Sequence, residues 1–179
     1  MRVLGVDPGT WKTGVGVIEA EGSRYRLVFE TVSEIKKKLT LAMRLRQIYL
    51  EISDFVAEYK PDVMALENVF FGKDLQAMVK IGEARACAML AAAQMNIEVL
   101  EYPPARVKQA VSGNGRASKD QVQNMIKTLL GLKQAPEADS SDALAVAICH
   151  VHAGHRRRIE AIAKSSPEKE RKRFGAMKS

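Results

Sequence analysis

Two short apolar runs, Val3 to Val6 and Val63 to Leu66, each stop on an acid, Asp7 and Glu67. Runs of this length, bounded by turn chemistry, read as buried strands. Asp7-Pro8-Gly9-Thr10 supplies such a turn: proline fixes one dihedral and glycine tolerates a permissive one. A carboxylate that follows four apolar residues needs a compensating partner. Two strands that both end on acids bring them together only as neighbours in one sheet. A third acidic pair, Asp139 and Asp142, opens a helical stretch, and a spacing of three puts both on one helix face, about a turn apart. Four carboxylates in one cleft repel unless divalent cations neutralise them.

The rest of the chain supports one sheet. Residues 2–7, 14–18 and 25–32 read as three meandering strands, with Glu21-Gly22-Ser23 as the turn between the second and third. Leu41, Leu45, Ile48, Ile52, Phe55 and Tyr59 follow steps of four and three, an amphipathic helix that Lys60-Pro61 ends. A fourth strand over 62–67, an alanine-rich helix over 75–95 and a fifth strand over 97–102 follow. Helices near 105–111 and 119–131 flank Ser112-Gly113-Asn114-Gly115, and a last one runs from near Asp139 to about His152. Three meandering strands, then strands alternating with helices, predict an α/β fold with a mixed sheet, three strands antiparallel and two parallel. Strands one and four are then parallel neighbours, and Asp7 and Glu67 emerge at the same carboxyl edge, where open α/β folds place their sites.

Composition narrows the partners. At 179 residues and 46% hydrophobic the chain suits one globular domain, and no apolar run approaches the roughly 20 residues of a membrane span. Cys87 and Cys149 suggest neither a disulfide framework nor a zinc cluster, which suits a reducing cytoplasm. The net charge of +7 is concentrated: residues 155–179 hold nine Lys and Arg against three Glu. Residues 1–154 are expected to form the domain, and 155–179 a flexible basic arm with few apolar anchors, suited to phosphate.

Val3-Leu4-Gly5-Val6-Asp7-Pro8-Gly9-Thr10, Ala65-Leu66-Glu67-Asn68-Val69-Phe70 and Asp139-Ser140-Ser141-Asp142-Ala143-Leu144-Ala145 resemble the RuvC-type Holliday junction resolvases. So do Tyr102-Pro103-Pro104 and the stretch from Lys108 through Gly113-Asn114-Gly115 to Lys119. The resemblance spans nearly all of residues 1–154. It implies a ribonuclease H-like fold with helices flanking the sheet, a homodimer, four-way junction DNA as substrate, and Mg²⁺ or Mn²⁺ as cofactor. It implies Asp7, Glu67, Asp139 and Asp142 as catalytic, metal-binding carboxylates, with Lys108 and Lys119 in support. Phe70 is the implied base-contacting aromatic, and Arg116, in the loop before Lys119, an expected DNA contact. A branch-migration motor is an expected further partner.

Phosphodiester hydrolysis explains this choice of residues. Two divalent ions about 4 Å apart generate a hydroxide and take up charge on the leaving 3′-oxygen. Such hard cations prefer oxygen, so carboxylates serve and Cys or His need not appear. Asp7, on the central strand, is the expected bridging ligand, with Glu67 and Asp142 each holding one ion and Asp139 assisting. Read alone, Asp139-Ser-Ser-Asp142 is a helix cap with a second acid at the positive end, and Lys36-Lys37-Lys38 a solvated run. The small residues of the 75–95 helix serve core packing or a close approach of two copies, and a two-fold dimer suits paired cuts. The alternatives are a related ribonuclease acting on structured RNA, and a non-catalytic junction-binding protein. A sugar-kinase or Hsp70-like ATPase also begins with this phosphate loop but needs a second, similar domain.

Overall fold

The computed structural model describes residues 1–22, 24–36, 38–68 and 75–164, with side chains to residue 154. Strands β1 (Arg2–Asp7), β2 (Lys12–Glu21) and β3 (Arg24–Glu34) form an antiparallel meander. Helix α1 (Leu41–Tyr59) leads to β4 (Val63–Glu67), and α2 (Leu75–Gln94) leads to β5 (Glu98–Tyr102). Both of these strands add in parallel, giving the order β3-β2-β1-β4-β5. Helices α3 (Pro104–Ser112), α4 (Lys119–Leu129) and α5 (Ala138–Lys164) complete the chain. The mixed sheet expected from the sequence is present, with its three antiparallel and two parallel strands.

Side-chain alternation along the strands divides the core in two. Val3, Ile18, Val63 and Ala65 meet Val107, Val122, Ile126, Leu144 and Ile148 of α3, α4 and α5. Leu4, Val6, Val15, Val17, Met64 and Leu66 meet Ile48, Ile52, Ala84 and Ala88 of α1 and α2 on the other face. Stepping by two from Val3 reaches Asp7, and stepping by two from Val63 reaches Glu67. Both acids therefore belong to the face that α5 covers. The parallel register pairs Val6 with Leu66, so the two acids end adjacent strands side by side.

Helix α5 lies directly on the middle of the sheet because glycines leave it room. A Cβ at Gly5 would stand 1.9 Å from the Ala143 carbonyl oxygen, and one at Gly14 would stand 2.0 Å from that of Asp139. The first turn of α5 is thereby held over the ends of β1 and β2. The hydroxyl of Ser140 donates to Glu30 of β3 at 2.8 Å and fixes the same turn from the side.

Several boundaries differ from the sequence reading. Strands β2 and β3 are longer, because their paired ladder continues past the apolar positions to Lys12↔Glu34 and Glu21↔Arg24. Helix α5 begins at Ala138, so Asp139 lies inside the first turn rather than capping it. The same helix continues to Lys164, beyond His152. The apolar pattern stops near Ala153, but Arg, Glu, Ala and Lys are good helix formers and carry the helix on. Among the described residues no helix is long and apolar enough to cross a membrane.

Candidate active site

At the carboxyl edge of β1 and β4 a cleft of about 390 Å³ is lined by Asp7, Glu67, Asp142, Lys108, Lys119 and Arg85, among others. Its walls come from six elements, with Arg85 supplied by α2. β1 and β4 end on the first two acids. Asp142 lies one turn into α5, Lys108 lies on α3, and Lys119 is the first residue of α4. A reciprocal cap sets that start: Ser118 Oγ accepts from Gln121 N at 3.2 Å, and Gln121 Oε1 accepts from Ser118 N at 2.9 Å. From there Lys119 Nζ reaches Asp142 Oδ2 at 3.0 Å.

The carboxyls are short of compensating charge. Burial pushes Asp7 up to about 6, and the charges of Asp142 and Asp139 add to the effect against Lys119 and Arg85. Burial likewise pushes Glu67 up to about 7, helped by Asp142 and Asp7 and opposed by Lys108 and Lys119. The hydrogen bond and charge of Asp142 raise the Lys119 ammonium above its usual range, so it stays protonated. The acids in the cleft are all oxygen donors, with no imidazole or thiolate beside them. That donor set suits hard divalent cations. Among the described residues, no three such side chains stand ready-made around one ion position.

The sequence-derived residues are thus partly assembled. Asp7, Glu67, Asp142, Lys108 and Lys119 share the cleft. Asp139 is half-buried outside its lining and reaches Asp7 and Lys119 through its charge. Arg116 is exposed in the loop before α4, where Asn114 Oδ1 accepts from its backbone N–H at 2.9 Å. Phe70 and its neighbour Phe71 lie outside the described residues. Arg85 was missed by the sequence reading. Only 7% exposed, it donates from Nη1 to the Glu67 carbonyl oxygen and from Nη2 to Glu101 Oε1 at 2.7 Å. Its signal was a single cation in a stretch of small and apolar residues, Ala84 to Ala88, on the buried side of α2.

The family model for the crossover junction endodeoxyribonuclease RuvC matches residues 3–150. The chain belongs to the RuvC family. Crossover junction endodeoxyribonucleases RuvC from Alkaliphilus metalliredigens and Desulforamulus reducens are 44% and 47% identical to it. Those matches cover 87% of this chain and 95% of the first relative, and 84% of this chain and 93% of the second. Among solved structures, Thermus thermophilus RuvC superposes with a TM-score of 0.80 at 32% identity, over 87% of this chain and 96% of that one. The same RuvC in complex with its Holliday junction substrate gives 0.80 at 30% identity, with the same coverage. The yeast mitochondrial resolvase Ydc2, at 13% identity and a TM-score of 0.63 over 88% of this chain and 82% of its own, shares the fold. The sheet order and flanking helices are those of the ribonuclease H-like RuvC fold.

Proposed function

We propose that this RuvC-family chain is a structure-selective endonuclease that resolves four-way DNA junctions. It hydrolyses phosphodiesters in two opposing strands and leaves 5′-phosphate and 3′-hydroxyl ends, as recombination and repair require. The observation that carries the reading is the convergence of Asp7, Glu67 and Asp142 with Lys108 and Lys119 in one cleft at the edge of a basic protein.

Asp7, Glu67 and Asp142 would hold divalent ions, two per site, with Asp139 assisting from the first turn of α5; Mg²⁺ is the expected metal and Mn²⁺ a substitute. Ions held there would supply a hydroxide at neutral pH and stabilise the leaving 3′-oxygen. Lys119 moves from Asp142 to a phosphate oxygen as negative charge builds in the transition state. Lys108, on α3, is a second cation of the cleft to hold a phosphate. Arg116 binds backbone beside it, Phe70 contacts a base, and the basic segment 155–179 adds phosphate contacts.

Paired cuts call for two sites, and the outward side of α2 offers a surface for a second copy. The core takes Ala84, Ala88, Ala91 and Ala92, yet Leu75, Val79 and Leu90 are 72%, 56% and 57% exposed on the other side. Gly82 and Ala86 lie between them, and Ala93 just beyond, on that face, so two backbones can approach closely. A symmetric homodimer through α2 follows. A cytoplasmic protein that meets a branch-migration motor suits the same task.

The test compares a synthetic four-way junction with a matching linear duplex, in Mg²⁺ and in EDTA. Paired nicks confined to the junction, abolished by EDTA and by Asp7→Asn while junction binding persists, are expected. Cutting at the wild-type rate by Asp7→Asn would overturn the metal-site assignment. Binding without cutting in either metal would leave a junction-binding protein.

A further inference from the structure

The largest apolar side chain of the protein stands outside its core. Trp11 is the sole tryptophan, is 47% exposed, and belongs to neither apolar cluster. Its contact is with a cation: Arg44 Cζ lies 4.0 Å over the ring. Arg44 Nε is shielded from solvent with no hydrogen-bond acceptor, so the indole face stands where a polar partner would be. A ring presented in this way is costly to leave in water and suits a second flat, polarisable group.

Topology puts this pair beside the cut site. The β1–β2 turn leaves the sheet at Asp7, and the β2–β3 ladder continues two pairs beyond Asp7↔Gly14, to Lys12↔Glu34. Helix α1, which carries Arg44, starts at the same edge. Chain length alone keeps the Trp11 and Asp7 Cα atoms within about 14 Å, roughly four base steps of 3.4 Å. The turn is also held firmly. Ile35 N donates to Trp11 O at 2.9 Å, Thr13 Oγ1 donates to Gly9 O at 3.2 Å, and Lys12 pairs with Glu34 at 2.9 Å. Lys36 and Lys38, just after β3, and Arg46, on α1, are exposed, and exposed cations favour a polyanion.

We propose that Trp11, backed by Arg44, is a stacking platform for a nucleobase of the bound junction, one that orients the strand entering the cleft; this rests on the resolvase reading above. The pairing of an aromatic face with a cation is how single-stranded or splayed bases are held without sequence readout. Base faces at the crossover of a four-way junction lose their stacking neighbours when its arms unstack, which a continuous duplex does not allow, so the platform favours the branched substrate.

Because Trp11 is the only tryptophan, its emission reports on this position alone. The full chain is titrated with a fluorescein-labelled four-way junction in EDTA, following dye anisotropy and tryptophan emission together. The expected result is quenching that saturates along the same isotherm as anisotropy. Trp11→Ala should weaken junction binding by about tenfold, the scale of one base stack removed, and Trp11→Phe should recover part of it at an unchanged Tm. Emission that stays constant while anisotropy saturates overturns the platform and leaves the resolvase reading intact. So does a Trp11→Ala Kd within about twofold of wild type. Anisotropy that never rises defeats the junction-binding reading itself, and the platform with it.

Discussion

A Cβ at Gly14 would stand 2.0 Å from the Asp139 carbonyl oxygen, so this strand position admits only hydrogen if α5 is to keep its place. Gly14→Ala is expected to push the first turn of α5 off the sheet, at a cost of about 1–3 kcal/mol for overpacking. Cutting should slow at least tenfold, with a smaller change in junction Kd, because Asp142 moves while the outer DNA-binding groups stay. Asp7 and Glu67 make a second prediction at this scale. Their folded values of about 6 and about 7 lie above the usual carboxylate range, so the folded protein retains protons that the unfolded chain has released. Their contribution to stability is full below about pH 4 and is lost as pH rises through 6 and 7. The Tm of metal-free protein should therefore lose ground to that of Asp7→Asn between pH 5 and pH 8. Mg²⁺ should raise the wild-type Tm more at pH 8 than at pH 5; equal shifts at both pH values would remove proton–metal competition at these oxygens.

Helix starts, more than helix bodies, build the cleft. The reciprocal cap between Ser118 and Gln121 begins α4 at Lys119, which fixes the lysine within 3.0 Å of Asp142. Ser118→Ala should cost about 1 kcal/mol of stability, as for removal of a cap, and lower the cutting rate several-fold with junction affinity nearly unchanged. Denaturant unfolding and single-turnover cleavage measure the two effects separately. Helix α2 contributes from its middle: buried Arg85 ties the Glu67 carbonyl to Glu101, locking the end of β4 to β5. Arg85→Met keeps the bulk but leaves that carbonyl without its donor. It should slow cutting by allowing the Glu67 end to shift, and a wild-type rate would confine Arg85 to packing.

At the scale of the molecule, one sheet separates two jobs. The α3–α5 face carries most of the cleft, and the α1–α2 face carries apolar side chains, Leu75, Val79 and Leu90, that the described residues leave exposed. Leu90→Glu, on that outward face, should give a monomer by light scattering that still folds, since Leu90 is 57% exposed. Junctions treated with it should accumulate single nicks, because two strands are no longer cut within one complex. A dimer unaffected by Leu90→Glu would place the two-fold axis elsewhere. Removing residues 156–179 should lower junction affinity and flatten its dependence on salt, because a chain that neutralises fewer phosphates displaces fewer counterions.

Much of this was legible along the chain. Apolar runs closing on Asp7 and Glu67 marked strand ends, and the three-residue spacing of Asp139 and Asp142 marked one helix face, because periodicity is a local property of sequence. The parallel pairing of β1 and β4 followed from the order of elements. Other features depend on contacts between residues far apart, and no local pattern encodes those. Gly14 read as an ordinary strand residue until α5 lay over it. Lys119 and Asp142 are partners only because a cap and a helix start meet across the cleft. Asp139 fell outside the lining once α5 began at Ala138. Arg85, one cation in an alanine-rich helix, and Trp11, in the turn between β1 and β2, drew no reading along the chain; the closed fold brings the first to Glu67 and Glu101 and the second to Arg44. Sequence thus set the elements and the kind of chemistry at their ends; packing chose which of those ends meet, since proximity between distant residues arises only when the core closes.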